Sequence, residues 1–204
     1  MLPMSESVEQ YVSRVCGYVG DSDPLEVITK TPRRLSETIG ALTEAVLDHR
    51  AEPGKWNIRQ QLAHLVDAEL VMSTRMRWAV AEPGKIVKSF DQDAWATCGK
   101  YGVLPVDVSL ATFVAVRRWT VEWLRRLPIS DRDGWIQHEE RGKETLVHLV
   151  RMMAGHDLNH LRQIRRLLDA AAGRVRLGAI DDNGTLPRAA PPDSAGAERR
   201  RSQL

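Results

Sequence analysis

The chain has 204 residues, 29 of them basic and 27 acidic, and is 43% hydrophobic. That is enough for one domain with a sizeable core, and it excludes collagen-like, disulfide-scaffold and wholly disordered classes. There is no run of about 18 apolar residues and no basic-then-apolar leader, so neither a transmembrane helix nor a signal peptide is expected.

Ser5 to Val19 reads as a short helix. Asp23-Pro24 is a helix start, with Asp as N-cap, Pro at the first helical position and Glu26 in the first turn. Thr31-Pro32 repeats that signal, and Leu35, Ile39, Leu42 and Val46 then mark one helix face that ends at Ala51-Glu52-Pro53-Gly54. Asn57 caps a second long helix, with Gln60 completing a capping box and Ile58, Leu62, Leu65, Met72 and Met76 as its apolar stripe. Trp56, just before the cap, stands where a hydrophobic staple belongs.

Glu82-Pro83-Gly84 stops that helix, and residues 85–104 hold no sustained period, so they are expected to be a loop with one helical turn. A third long helix runs from Val106 to Leu127, with Trp119 and Trp123 expected in the core. Pro128 to Gly142 is a connection, and a last helix runs from Lys143 to Ala172 with Gly173 at the C′ position. Strand signals are scarce. The expected fold is therefore all-α: a four-helix bundle over residues 1–173, with a long crossover loop between the second and third helices. Residues 174–204 hold six arginines, four acids and no aromatic residue, and are expected to form a disordered tail. They carry the whole net charge of +2, which leaves a neutral body and argues against a nucleic-acid-binding face. Cys16 and Cys98 form no CxxC pair and fit a reducing, cytoplasmic setting.

His156 and His160 are the strongest chemical signal. At about 100° per residue they lie roughly 40° apart, on the same helix face as Leu149, Met153 and Leu167. Imidazoles on a core-facing stripe must either bond buried acceptors or share a metal. His64, at the edge of the second helix's stripe, is the candidate third ligand, because bundles build metal sites from side chains on facing helices. Glu69 falls inside the same stripe and needs an arginine, a ligating histidine or a metal as partner, with the ion pair favoured. Asp157 stands where a zincin motif carries Glu; one methylene shorter, it suits orienting a ligand better than acting as general base. Asp91 lies in Phe90-Asp91-Gln92-Asp93-Ala94-Trp95, a loop expected to cover a pocket or to be pinned by its aromatics. Solvent exposure is expected for His49, His138 and His148.

Three segments carry a family resemblance. Gly54-Lys55-Trp56-Asn57-Ile58-Arg59 followed by His64-Leu65-Val66-Asp67-Ala68-Glu69, the loop Phe90 to Trp95, and Ala154-Gly155-His156-Asp157-Leu158-Asn159-His160-Leu161-Arg162-Gln163-Ile164 together resemble the DinB-like (DinB/YfiT) family over residues 24–170. The resemblance implies a four-helix bundle holding a divalent metal on His64, His156 and His160, a dimeric assembly, and a small-molecule substrate. It also implies thiol S-transfer with a low-molecular-weight thiol cosubstrate. Hydrolysis would use the same site, and from their positions in the sequence Asp157 is expected to orient a ligand and Glu69, or Asp91 by its place in the loop, to act as base. Many relatives carry Glu where Gln60 stands, so a role for that acid has no counterpart here. Three histidines do not separate Zn, Ni, Fe and Mn. Two other functions stay open: a bundle acting as a metal-binding or stress-response module without turnover, and nucleic-acid binding through the tail and Arg162, Arg165 and Arg166. Those arginines spread around their helix, as on a solvated outer face.

Overall fold

The computed structural model describes residues 6–178. Helix α1 spans Val8–Gly17 and opens on a Ser7–Gln10 capping box. Helix α2 spans Pro24–Ile39, with the Asp23 carboxylate accepting from the Leu25 N–H at 2.9 Å. Pro32 therefore lies inside α2 and does not start a second helix. Gly40 ends α2, and Leu42 and Val46 belong to the loop and to the short α3, Glu44–Leu47. Helix α4 spans Ile58–Ala81 behind the expected box, in which the Asn57 side chain accepts from Gln60 N–H and the Gln60 side chain accepts from Asn57 N–H. Helix α5 is Gln92–Cys98, and α6 is Val106–Arg126. Helix α7 runs Leu146–Gly178, so it starts three residues later than expected and continues through Gly173. The rest of the expected tail lies outside the described residues.

The bundle is made by α2, α4, α6 and α7, with α1 laid against α7. A Cβ on Gly155 would sit 2.0 Å from the Val15 carbonyl oxygen, so the glycine in α7 is what lets α1 approach. A small sheet corrects the all-helical expectation. Strands β1 (Lys85–Val87), β2 (Trp135–His138) and β3 (Gly142–Thr145) lie in that order, β1 parallel to β2 and β2 antiparallel to β3. Runs of three or four residues are too short to show an alternating pattern, and the β1–β2 pairing joins segments about 50 positions apart. Among the described residues no helix is long and apolar enough to cross a membrane.

The apolar core falls into two parts. One gathers Ile28, Met76, Val121, Ile136, Leu149 and Met153; the other gathers Leu35, Ile39, Leu62, Leu65, Phe113 and Ile164. Between them, at the waist of the bundle, the helices contribute polar groups. Arg117 of α6 donates through Nε to Glu69 of α4 at 2.7 Å, and through Nη1 and Nη2 to Asp157 of α7 at 2.5 and 3.0 Å. Its Nη1 also donates to the Ile28 carbonyl of α2 at 3.1 Å. That carbonyl is the one Pro32 leaves without its helical N–H partner, four residues on. The proline thus creates a buried acceptor, and the arginine satisfies it while bridging two carboxyl groups.

Of the tryptophans expected inside, Trp119 is 64% exposed and carries the Arg77 guanidinium 4.1 Å over its ring. Trp123 is partly buried, and Arg77 lies 4.8 Å from its ring centre. At Trp119 a stacked arginine stands in place of core packing, while Trp123 packs against the first part of the core as expected.

Candidate metal centre

Helices α4 and α7 bring His64, His156 and His160 together, with their candidate ligand atoms all within 4.8 Å of one another. His156 Nε2 is 3.1 Å from both His64 Nε2 and His160 Nε2. His64 and His160 are buried, and His156 is the most open of the three. The side chain of Gln61, one turn before His64, reaches His160 Nδ1 at 2.5 Å. With the amide oxygen accepting, the proton sits on Nδ1 and the Nε2 lone pair faces the cluster.

This arrangement has a hydrogen-bonding problem that a cation resolves. With His160 Nε2 an acceptor, His156 Nε2 must carry a proton to satisfy it, and then has no lone pair left for His64. If it has no proton, two lone pairs meet at 3.1 Å. His64 Nδ1 also has no partner. Two nitrogens that share one ion at bonds of about 2.0–2.1 Å stand roughly 3 Å apart, so the spacing and the donor type both fit a borderline divalent metal.

Electrostatics point the same way. Burial, aided by the neighbouring His156, pushes His64 down to about 3. Burial and then the Arg117 charge push His156 down to about 4, and His160 falls well below its ordinary value through burial and its two neighbours. All three are neutral at pH 7, the form that ligates. In the unfolded chain they titrate near 6.5. Acidification from about pH 6.5 toward pH 4 protonates the unfolded chain and not the folded one, so the stability these groups contribute is complete above that window and lost within it. The metal-stripped protein is therefore expected to melt at progressively lower temperature from about pH 7 to pH 5, read by thermal denaturation in chelator. A His156→Ala/His160→Ala variant should show a shallower slope. Identical slopes would contradict the burial of neutral rings.

The remaining sequence candidates fall in different places. Asp157 and Glu69 are buried on Arg117, not hydrogen-bonded to a histidine ring: Asp157 takes two guanidinium bonds, as Glu69 takes one. The ion pair expected of Glu69 is thus present, while the expected ligand-orienting bond from Asp157 is replaced by the Arg117 fork. Burial holds Glu69 above the usual carboxylate range despite Arg117. Asp91 is the N-cap of α5, its Oδ1 accepting from Asp93 and Ala94 N–H at 3.0 Å each, so its expected role as base meets a carboxylate already engaged in capping. Trp56 packs its ring 5.0 Å from His64 and 6.0 Å from Tyr101, so the expected staple is instead a wall of the site. Phe90 stacks on His64 at 6.2 Å with Trp95 edge-on behind it, which satisfies the loop's expectation of being pinned by its aromatics. His138 is fully buried in β2, contrary to its expected exposure. Arg117 and Gln61 are the functional residues that sequence reasoning missed. Gln61 had a readable signal, one turn from His64 on the same face.

Two cavities meet at the cluster. The larger, about 690 Å³, is lined by Trp56, Gln61, His156, Asn159, His160 and Gln163 among others. The second, about 260 Å³, runs from His64 and His156 past Ala68 and Met72 to Arg75. Tyr11, brought in by α1, lines both, and burial holds its phenol protonated at neutral pH.

Comparison with known proteins gives a consistent picture. The DinB superfamily model matches residues 28–164. A protein of Oceanobacillus iheyensis named "Putative metal-dependent hydrolase" is 29% identical over 140 residues, covering 69% of this chain and 81% of the relative. A Bacillus cereus protein of the same name is 29% identical over 143 residues, covering 70% and 82%. The structure of YfiT from Bacillus subtilis, described as a probable metal-dependent hydrolase with an unusual four-helix bundle topology, matches with a TM-score of 0.68 at 20% identity. That match covers 83% of this chain and 91% of YfiT, and it bears on the fold.

Proposed function

The chain belongs to the DinB superfamily, and from that premise we propose that it is a metal-dependent hydrolase of a small molecule, with a divalent cation held by His64, His156 and His160. The observation that carries the proposal is the convergence of three neutral imidazole nitrogens from two packed helices, beside two cavities. A cation held by three neutral ligands keeps its full charge and lowers the pKa of a bound water or thiol toward neutrality.

The chain's own residues do the rest. Gln61 sets the tautomer of His160. Trp56 and Phe90 cover His64 and keep water from that side. Tyr11 offers a neutral phenol as hydrogen-bond donor where the two cavities meet. Asp157 and Glu69 are positioning residues: through Arg117 they hold the waist of the bundle, where α7 presents His156.

Thiol S-transfer with a low-molecular-weight thiol is the second reading. Two separate bays that share His156 favour it, since a two-substrate reaction needs a place for each partner. The full-length chain, its metal content measured, should be assayed against esters, amides and phosphoesters, and separately for loss of free thiol with an electrophile. Chelator-sensitive hydrolysis restored by added metal is the expected result. Thiol consumption without hydrolysis would favour transfer, and a metal-replete chain silent in both assays would leave a binding module.

A further inference from the structure

Arg75 is an unusual residue to bury. It sits on the face of α4 that carries His64, Ala68 and Met72, within an arc of about 80°. It is 4% exposed, and its single hydrogen bond runs from Nη2 to the Lys88 carbonyl at 2.6 Å. Among the described residues no carboxylate lies within 4 Å of it, so four of its five N–H donors have no protein acceptor. The other buried arginines are matched: Arg117 by Glu69 and Asp157, and Arg59 by Asp48 and Glu44. Burial, with Arg141 adding to it and Glu144 partly offsetting it, pushes Arg75 down to about 10, the direction expected for a buried cation with no carboxylate in contact.

A second, independent observation lies beside it. The Ser89 hydroxyl is buried and unpartnered, and Ser89 lines the same 260 Å³ cavity as Arg75. The backbone joins the two, since the carbonyl that holds Arg75 belongs to Lys88. Arg141 also lines the cavity but is neutralised by Glu144 through bonds of 2.7 and 3.0 Å. Glu140 is the one carboxylate on the described wall. His64 and His156 line the same cavity, Ala68 and Met72 lie between His64 and Arg75 along α4, and Met153 is also on the wall.

We infer that Arg75 and Ser89 form an oxyanion subsite, and that the substrate is a small molecule with a carboxylate or phosphate at one end and its reacting bond, across an apolar spacer, at the histidine cluster. A planar guanidinium with free donors and an adjacent hydroxyl is suited to a carboxylate or phosphate. An apolar middle and few polar groups at the ends are what orients a small ligand. The anion site stands on its own geometry; its role in substrate binding rests on the reading in the preceding subsection.

The test uses the full-length chain as purified, with metal content measured, titrated calorimetrically with succinate and with inorganic phosphate at fixed ionic strength. The tighter probe identifies the source of the anion. Saturable binding is expected, weakened about tenfold or more in Arg75→Met and severalfold in Ser89→Ala, with metal content unchanged in both. The Arg75 Nε–H NMR resonance of the unmodified chain should shift with the probe, which keeps the question answerable if Arg75→Met does not fold. Unchanged affinity in both variants, or no saturable binding of either probe, would overturn the subsite. Anion binding by a chain that takes up no divalent metal would sustain the subsite and sink the metal centre alone.

Discussion

Replacing His156 and His160 together with alanine is expected to reduce bound divalent metal from about one ion per chain to a background level, measured by elemental analysis of the purified protein. Both rings come from one turn of α7, and together with His64 they supply every candidate ligand in the cluster. Helical content should persist, because the change removes two imidazoles whose Nε2 atoms face one another at 3.1 Å. Gln61→Ala should give the intermediate case. It frees His160 Nδ1 from its 2.5 Å partner, and losses of about 10–100-fold in affinity are typical when such a supporting bond is removed. A double variant that keeps its full metal complement would refute the centre.

Arg117→Leu should be the most destabilising single change in the molecule. It leaves Glu69 and Asp157, each about 1% exposed, without a cation, and it strips the Ile28 carbonyl of its donor. Breaking a buried pair this way costs about 3–5 kcal/mol, equivalent to a fall of roughly 10 °C in Tm for a domain of this size. The pH dependence separates this cause from lost packing. Burial already holds Glu69 above the usual carboxylate range with Arg117 in place, and losing the guanidinium removes the group that lowers it, so its burden on the variant eases as acid neutralises it. The gap to the parent chain should narrow from about pH 7 to pH 5. A second test removes the charges as well: Arg117→Leu combined with Glu69→Gln and Asp157→Asn should recover part of the loss. A gap independent of pH, with no recovery, would mean that the triad contributes shape and not charge.

These expectations show where local patterning was sufficient. The Asn57–Gln60 box and the Asp23 cap are satisfied within three residues of sequence, so their chemistry is written where it acts. The His156–His160 pair was legible for the same reason: helical geometry alone puts positions four apart on one face. Glu69 was legible as an anomaly, a carboxylate in an apolar stripe. Its partner was not, because Arg117 lies 48 positions away in another helix and reads there as an ordinary basic residue.

Pro32 misled for an instructive reason. The Thr31-Pro32 pair is a good local start signal, yet the helix runs through it, since the Ile28 carbonyl it frees has a donor supplied from α6. His138 misled because the sheet that buries it pairs short strands from distant segments, which leave no periodic trace. Asp91 was found as a loop acid, and in the structure it is the N-cap of α5.

The sequence by itself determined the long helices, their caps and the shared face of two histidines, because backbone hydrogen bonding and helical periodicity act within a few residues. Only the tertiary structure decided which charges are paired and which are left over. That depends on what another helix presents at the same level of the bundle, and it is why Arg117 becomes a paired strut while Arg75, also buried, keeps open donors in the cavity beside the histidines.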